Sequence, residues 1–288
     1  MLPGIYTMSD EKYHSDPCPE PSLSRSLAHI LLSKSPQHML LAHPRLNPDY
    51  EPLDRKEFDF GKAAHDYFLC GGSKIAVLDF PDWRTNASKD AREAALAKGL
   101  LPVLAEKFEK VENMTRTIRP QIAKHPLHSG AFSIGKAEQA IFWQEGTVWC
   151  RAKLDFVGED GWLDDYKTTE VSSPHEWVKG AAFDSGDDLQ AYVYMRGYEA
   201  ATGIQVKGVR FWVQETKPPH CLYLAICHAE VLERAAKKWE YAVRRFKECL
   251  EKAEWPAYAG QTFTIYPAYK SNEQMLRISE EEAAREGL

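Results

Sequence analysis

The sequence predicts an α/β (α+β) fold with a mixed central β-sheet that is flanked by helices. Three strand-like stretches at 138–143, 147–157 and 162–168 follow one another and are separated by glycine-containing turns. Two more strand-like stretches, 206–215 and 222–227, lie between helical patterns in the last third of the chain. Because such a sheet must bury its apolar side chains against other elements, we expect helices to cover it.

The part of the chain before the sheet is expected to be mainly helical. Residues 1–22 contain several prolines and are predicted to be irregular. A helical repeat of apolar residues runs from Ser22 to about Ser35, and a second predicted helix covers 60–69. The charged stretch 87–124, which is rich in Ala and Leu, predicts one or two long helices.

Helices are also expected between and after the later strands. The first of these, at 174–182, follows Ser173, a residue type that often caps helices, and has Pro174 at its first position. Two more are predicted at 187–202 and 229–253, where apolar residues again recur with a helical period.

Composition and length are consistent with one domain covering residues 1–288. We expect a core at about 60–257, an N-terminal helical segment at 1–59 and a mobile acidic tail at about 270–288. The hydrophobic content of 44% and charged content of 27% are typical of globular proteins. The net charge of −6 argues against a passive nucleic-acid-binding module, which is usually basic. An enzyme that acts on nucleic acid is compatible with it, since acidic metal ligands lower the total charge.

A cytoplasmic protein without a membrane-spanning part is expected. No stretch approaches the roughly 20 apolar residues needed to cross a bilayer, and the first residues lack the features of a signal peptide. The cysteines form no C-x-x-C pair and are expected to be reduced. An iron–sulfur cluster is not expected, because the cysteines that could bind one are widely and irregularly spaced. Those cysteines are Cys70, Cys221, Cys227 and Cys249.

The pattern that indicates chemistry is a set of charged residues on two consecutive predicted strands. Asp155 lies on one strand, and Asp165 and Lys167 lie on the next. Strand side chains alternate between faces, so Asp165 and Lys167 share a face with Leu163, whereas Asp164 points the other way. Two carboxylates beside a lysine suit metal-assisted attack of water on a phosphodiester. We expect the pKa of Lys167 to be lowered in such a site.

Four other residues are candidates for the same site. Glu138 lies at the start of the preceding predicted strand, and His65 lies in the middle of a predicted helix. Gln190 and Tyr194 are four residues apart on one helix and so share a face. Each also has an ordinary explanation: an exposed carboxylate at a strand end, a core or surface histidine, or a pair that packs on a helix surface.

Taken in order, these residues resemble the PD-(D/E)xK nuclease superfamily, and more narrowly the nuclease domain of RecE-type exodeoxyribonuclease VIII. The resemblance spans roughly residues 4–257 and implies a restriction-endonuclease-like core with N-terminal helical additions. The proline that names the superfamily is replaced by Leu154, and the second acidic residue is Asp165 instead of Glu. The motifs that carry the resemblance are Gly61-Lys62-Ala63-Ala64-His65, Glu138, Cys150-Arg151-Ala152-Lys153-Leu154-Asp155, Asp165-Tyr166-Lys167-Thr168-Thr169 and Gln190-x-x-x-Tyr194.

The resemblance implies a Mg²⁺-dependent exonuclease, with Mn²⁺ able to substitute, that degrades one strand of linear double-stranded DNA from its 5′ end. The implied metal-site residues are His65, Glu138, Asp155 and Asp165. The implied catalytic residues are Lys167, Asp165, Asp155, Glu138, Gln190 and Tyr194. Ser24, Arg25 and Ser26 are candidates for binding the 5′ phosphate, because helix N-termini and arginine side chains suit phosphate.

The same resemblance implies partners and leaves alternatives open. The 3′ single-stranded overhangs would serve homologous recombination, with a single-strand annealing protein as partner and a ring-shaped trimer or tetramer around DNA. One alternative is a single-strand DNA nuclease of the same fold, similar to RecB or to CRISPR-associated nucleases. Another is a catalytically silent DNA-binding scaffold, although such proteins have little reason to keep buried charges.

Overall fold

The computed structural model describes residues 1–50, 60–181, 185–259 and residue 262. The chain divides into a compact unit, Met1–Trp255, and a second unit, Pro256–Leu288. The first 50 residues thus belong to the same unit as the predicted core. The predicted tail at about 270–288 lies outside the described residues. None of the helices in the described ranges is both long enough and apolar enough to span a lipid bilayer.

The main sheet of the described residues has seven strands in the order β1-β5-β6-β7-β8-β9, with β2 paired to β6. The β7–β8 and β2–β6 pairs are parallel and the other pairs are antiparallel, which confirms the predicted mixed sheet. A separate parallel pair joins β3 to β4. The strands are β1 (Gly4–Thr7), β2 (Leu23–Ser24), β3 (Ile75–Leu78), β4 (Leu101–Leu104), β5 (Gly135–Glu145), β6 (Val148–Gly158), β7 (Trp162–Thr169), β8 (Gly208–Glu215) and β9 (Leu222–Ala225).

Helices precede, interrupt and follow these strands. The predicted cap is confirmed: the Ser173 hydroxyl accepts a hydrogen bond from the Glu176 N–H, and Pro174 lies in the first turn. That helix continues directly into a π-helical turn, Trp177–Ala181. The helices are α1 (Asp10–His14), α2 (Arg25–Ser33), α3 (Pro36–Ala42), α4 (Phe60–Cys70), α5 (Asn86–Ala97), α6 (Ala105–Thr115), α7 (Ile118–Ile122), α8 (Pro174–Glu176), α9 (Asp187–Thr202) and α10 (Ala229–Lys252).

The sheet is covered by helices on both faces, which confirms the predicted fold class. On β8, Phe211 packs with α2, α9 and α10, whereas its neighbour Trp212 packs with α4, α6 and α7. Strand side chains alternate between faces, so these two clusters lie on opposite sides of the sheet. Ala63 and Ala64 of α4 are fully buried, because their small side chains let this helix approach the sheet closely.

The prediction of one or two long helices at 87–124 is wrong for the middle of that stretch. A strand, β4, separates α5 from α6 and pairs in parallel with β3. Gly99, with φ of +72°, ends the preceding helix, because a left-handed residue cannot continue it. The sequence Leu101-Pro-Val-Leu104 that follows is short and apolar, and its pairing partner lies 26 residues upstream, so local periodicity did not reveal it.

The prediction that residues 1–22 are irregular is also wrong. They contain β1, which pairs with β5 at the edge of the main sheet, and the short helix α1. The N-terminal segment that was predicted to be helical also supplies β2, which pairs with β6. Both strands are short and are held by partners more than 120 residues away in the chain, which a local sequence pattern does not show.

Candidate metal centre and active site

Three neighbouring strands carry the acidic residues of the site. Glu138 lies on β5, Asp155 on β6 and Asp165 on β7. In the β5–β6 register, Ala137 pairs with Phe156 and Gln139 with Leu154, so Glu138 lies opposite Asp155. Cross-strand neighbours of this kind bring their side chains together on one face.

The strands β6 and β7 separate where the site begins. Their pairing joins Val157 to Leu163 and Phe156 to Asp164, and the next step of this register would join Asp155 to Asp165. At that step it is the Asp155 carboxylate that accepts a hydrogen bond from the Tyr166 N–H, at 3.0 Å. The side chain thus replaces a backbone ladder contact and is fixed beside β7.

A helix completes the group of possible metal ligands. His65, on α4, has its Nε2 atom 2.9 Å from Asp155 Oδ2 and its Nδ1 atom 3.7 Å from Glu138 Oε1. One ligand atom from each of His65, Glu138 and Asp155 lies within 4.8 Å of the other two. An imidazole nitrogen and two carboxylate oxygens are a donor set that divalent cations bind, so these residues fit a metal ion.

The charges of this group depend on one another. Burial by itself disfavours the imidazolium form of His65, but the carboxylates of Asp155 and Glu138 raise its pKa to about 9. Burial raises the pKa of Asp155, but the nearby His65 and Lys167 lower it by more than burial raises it. The net shift of the Asp155 pKa is therefore downward. His65 is therefore a cation in the metal-free protein, and its coordination to a metal requires loss of that proton.

Asp165 lies beside this group and has different partners. Its Oδ2 atom lies 2.8 Å from Lys167 Nζ, and its Oδ1 atom accepts a hydrogen bond from Gln190 Nε2. Burial and the neighbouring Asp155 carboxylate raise the pKa of Asp165 to about 6. Of the four predicted metal residues, the structure thus groups three, whereas Asp165 contacts the lysine and the glutamine.

The pKa of Lys167 is raised, which corrects the expectation that it would be lowered. Burial disfavours its charged form, but the carboxylates of Asp165 and Asp187 outweigh that effect. The Lys167 Nζ atom lies 3.3 Å from Asp187 Oδ1 and donates to Gln190 Oε1 at 3.1 Å. In the metal-free protein Lys167 is therefore a cation that can orient water or stabilise an anion.

The predicted pair on α9 also faces the site. Gln190 is buried, and its Oε1 atom accepts hydrogen bonds from both Lys167 and Arg25. One amide thus joins Asp165, Lys167 and Arg25. Burial, followed by the charges of Asp165 and Asp155, raises the pKa of Tyr194 well above its usual value, so its hydroxyl stays protonated.

The three residues proposed for the 5′ phosphate differ in their surroundings. The Ser24 hydroxyl accepts from the Leu27 N–H and caps α2. Arg25 donates to the Ser185 carbonyl at 3.2 Å as well as to Gln190. Ser26 is exposed. Arg25 is therefore connected to Lys167 and Asp165 through Gln190.

The contacts of Asp164 confirm the prediction that it points to the face of the strand opposite Asp165 and Lys167. Its carboxylate accepts from Arg210 Nε at 2.6 Å and Nη2 at 2.7 Å, and from Trp212 Nε1 at 2.9 Å. Trp212 belongs to the face opposite that of Leu163. Asp164 is thus a structural carboxylate of the second face, and Asp165 with Lys167 faces the site.

Sequence reasoning missed several charged residues of the site. Asp187 is three residues before Gln190 and thus on the same helix face, a spacing that could have identified it. Lys153 is two residues before Asp155 on β6, and its Nζ atom contacts Glu138 and Asp10. Lys74 contacts Glu138, and Asp10 contacts Lys74, from distant parts of the chain, so no local pattern indicated these two residues.

Comparisons with known proteins agree with this arrangement. Residues 28–265 match the family described as "PDDEXK-like domain of unknown function (DUF3799)". The comparison with curated proteins gave no match. The crystal structure of a "Putative exonuclease" from Eubacterium rectale is similar, with a TM-score of 0.56 and 13% sequence identity. The alignment covers 91% of this chain and 97% of that chain, so the two share a fold.

The matched range includes His65, Glu138 and Asp155, and also the neighbouring Asp165, Lys167 and Gln190. It accounts for well over half of the 288 residues. The acidic strands, the lysine on β7 and the glutamine on α9 therefore lie inside the family's own domain. This chain belongs to the PDDEXK-like family DUF3799.

Proposed function

We propose that this protein is a metal-dependent nuclease that hydrolyses phosphodiester bonds in DNA. The observation that supports this best is the approach of His65, Glu138 and Asp155 to within 4.8 Å, beside the Asp165–Lys167 ion pair. This geometry supports a divalent-cation site next to the ammonium group of Lys167. A phosphodiester is a substrate that needs both, because its hydrolysis develops negative charge on several oxygens.

Each residue has a role that follows from its contacts. His65, Glu138 and Asp155 would hold the cation, with Asp165 beside it, and a bound Mg²⁺ or Mn²⁺ would activate water and neutralise phosphate charge. Lys167, which is charged in the metal-free protein, is positioned to hold the attacking water or a phosphate oxygen. Gln190 keeps Asp165 and Lys167 in a fixed relative orientation by bonding to both.

The finer function that we propose is that of a RecE-type 5′→3′ exonuclease on linear double-stranded DNA. The sequence resemblance supports it, and the "Putative exonuclease" from Eubacterium rectale shares the fold. In this proposal Ser24, Arg25 and Ser26 contact the 5′ phosphate. The product is a 3′ overhang for recombination, with a single-strand annealing protein as partner and a ring-shaped trimer or tetramer in the cytoplasm.

The test is digestion of defined DNA substrates with Mg²⁺, with Mn²⁺ and with EDTA. We expect linear duplex to be degraded from 5′ ends, closed circles to resist, and EDTA to abolish the reaction. Lys167→Met should lose activity while remaining folded, as judged by circular dichroism, although the loss of its ion pairs with Asp165 and Asp187 is expected to lower its thermal stability. A matched control is Lys110→Met, which removes an exposed lysine paired with Glu106 on α6 and should retain activity.

Other outcomes would select the alternatives. Degradation of single strands with resistant duplex would identify a single-strand nuclease of the same fold. Absence of metal-dependent nucleotide release from every substrate, together with DNA binding, would identify a scaffold. A monomer in light-scattering measurements, with and without DNA, would contradict the ring.

A further inference from the structure

A second charged cluster borders the metal group on the side of Glu138. Lys153, on β6, contacts one oxygen of Asp10 and the Oε2 atom of Glu138. Lys74, which precedes β3, lies 2.8 Å from the other Asp10 oxygen and 3.3 Å from the same Glu138 Oε2 atom. These residues, Asp10, Lys74 and Lys153, are called the lysine cluster below.

The cluster is held in place and reaches the surface. The Lys74 N–H donates to Asp66 Oδ2 at 3.1 Å, which ties this lysine to α4, the helix that carries His65. The side chains of Lys74 and Asp10 are 39% and 30% exposed, and that of Lys153 is 15% exposed. A ligand arriving from solvent can therefore reach the ammonium groups beside the metal group.

The charges of the cluster balance only while Glu138 belongs to it. In the metal-free protein two ammonium groups face two carboxylates, those of Asp10 and Glu138. Glu138 presents its Oε1 atom to His65 and its Oε2 atom to the two lysines, so a cation held at Oε1 would take up the negative charge that now offsets the lysines. Asp10 would then be the one carboxylate of the lysine cluster left to offset two ammonium groups.

We propose that Lys74 and Lys153 bind a backbone phosphate of DNA adjacent to the one that is cleaved, once a divalent cation occupies Glu138. A phosphodiester carries one negative charge, which restores the balance, and ammonium groups are common phosphate partners. This inference rests on the proposed nuclease function. It adds a substrate-binding site that is formed by metal binding, on the side of the metal group away from Lys167.

DNA affinity measured with and without metal tests the proposal. The background is Lys167→Met, so that the DNA stays intact, and the probe is a fluorescein-labelled linear duplex measured by fluorescence anisotropy. With Mn²⁺, adding Lys74→Met should weaken binding about tenfold, as for loss of one charge-assisted hydrogen bond. The slope of log Kd against log salt should fall by about 0.9, as for one lost phosphate contact. With EDTA the same change should alter affinity by less than about twofold, since the cluster is then neutral.

Control variants separate this role from a structural one. Lys110→Met removes an equal charge from an exposed helix position and should leave affinity unchanged with Mn²⁺ and with EDTA. Lys74→Arg keeps the charge and should retain most of the affinity. If Lys74→Met does not fold, as judged by circular dichroism, Lys74→Gln takes its place.

Two results would overturn the proposal. One is unchanged affinity of the lysine variant in Mn²⁺, and the other is an equal loss with Mn²⁺ and with EDTA, which indicates a merely structural tie between α1 and the sheet. The binding assay needs no cleavage, so its outcome is distinct from that of the nuclease test. A wild-type protein that digests DNA while the lysine variant binds normally would contradict this inference alone.

Discussion

Asp187 Oδ1 lies 3.3 Å from Lys167 Nζ, and Asp187 Oδ2 accepts a hydrogen bond from the Ser185 hydroxyl at 2.5 Å. Lys167 is thus held from two directions, by Asp165 on its own strand and by Asp187 at the start of α9. Both carboxylates are buried. Asp187 therefore positions Lys167 without belonging to the metal group.

Removing the Asp187 charge is expected to lower kcat. In Asp187→Asn, Lys167 loses one of its anionic partners, and we expect kcat to fall about tenfold to a hundredfold, with little change in KM for DNA. Steady-state digestion of linear duplex measures both constants. The control is Asp188→Asn, whose wild-type carboxylate pairs with Lys238 on α10, and which should keep kcat. Equal kcat values for the two variants would remove Asp187 from this role.

Metal affinity is expected to depend on Glu138. Glu138→Gln removes a charged ligand, so we expect Mn²⁺ binding to weaken about tenfold or more in isothermal titration calorimetry. Glu145→Gln is the matched control, because Glu145 is on the same strand but pairs with Arg196. Wild-type affinity in Glu138→Gln would exclude this carboxylate from the metal centre.

The backbone at Glu138 is strained, and glycine is expected to relieve that strain. Its φ of +57° is a left-handed conformation that disfavours residues with a Cβ atom. Both Glu138→Gly and Glu138→Ala lose the carboxylate, so their difference isolates the backbone. We expect the glycine variant to be more stable by about 1–2 kcal/mol in urea unfolding of the metal-free protein. The reverse order, which is usual inside strands, would contradict the strained backbone.

Arg25→Met is expected to reduce activity on every DNA end, because Arg25 holds Gln190. If Arg25 also contacts the 5′ phosphate, as proposed above, the variant should lose more activity on 5′-phosphorylated ends than on 5′-hydroxyl ends. The rates on 5′-phosphorylated and 5′-hydroxyl duplexes, compared for wild type and variant, separate the two effects. If the variant slows digestion by the same factor on both kinds of end, the role of Arg25 is limited to positioning Gln190.

A buried histidine remote from the metal group predicts loss of stability in acid. His43 is fully buried; its Nε2 atom bonds to the Ser22 carbonyl, and its Nδ1 atom accepts from the Arg45 N–H at 3.1 Å. Burial, followed by the charge of Arg151, lowers the pKa of His43 to about 4 from 6.5. Between these pH values the unfolded chain binds a proton that the folded chain does not.

The free energy of unfolding should therefore fall as the pH drops from about 6.5 toward 4. His43 contributes on the order of 2 kcal/mol to this fall. In His43→Gln the amide can keep both kinds of hydrogen bond but cannot titrate. Urea unfolding of the wild type and of His43→Gln between about pH 4 and pH 6.5 measures how much of the loss of stability depends on His43. If the free energy of unfolding falls equally in both proteins, His43 does not cause the loss.

The sequence alone was sufficient to predict that Asp165 and Lys167 share one face of their strand, because the alternation of strand side chains is a local rule. It separated Asp165 and Lys167 from Asp164, and the structure shows Asp164 held by Arg210 on the opposite face. Helical spacing likewise placed Gln190 and Tyr194 on one side of α9. These inferences needed no knowledge of which strands are neighbours.

What the sequence could not predict depends on contacts between distant segments. The raised pKa of Lys167 arises from Asp165 on the same strand and also from Asp187, which is 20 residues further along the chain and on a different element. Lys74 contacts Asp10 although 64 residues separate the two, and the same ammonium group also contacts Glu138. The strand β4 was missed for the same reason, since it is stabilised by pairing with β3 and not by its own pattern.

The parallel pairing of β7 with β8 has a consequence during synthesis of the chain. The strand that carries Asp165 and Lys167 is paired along its whole length with Gly208–Glu215, and each of these partners is synthesised 46 residues later. Between them lies α9, whose Gln190 and Asp187 fix the lysine. A nascent chain therefore holds its acidic residues long before it can align them. The site therefore cannot hold a substrate in register until both α9 and β8 have been synthesised and paired with β7.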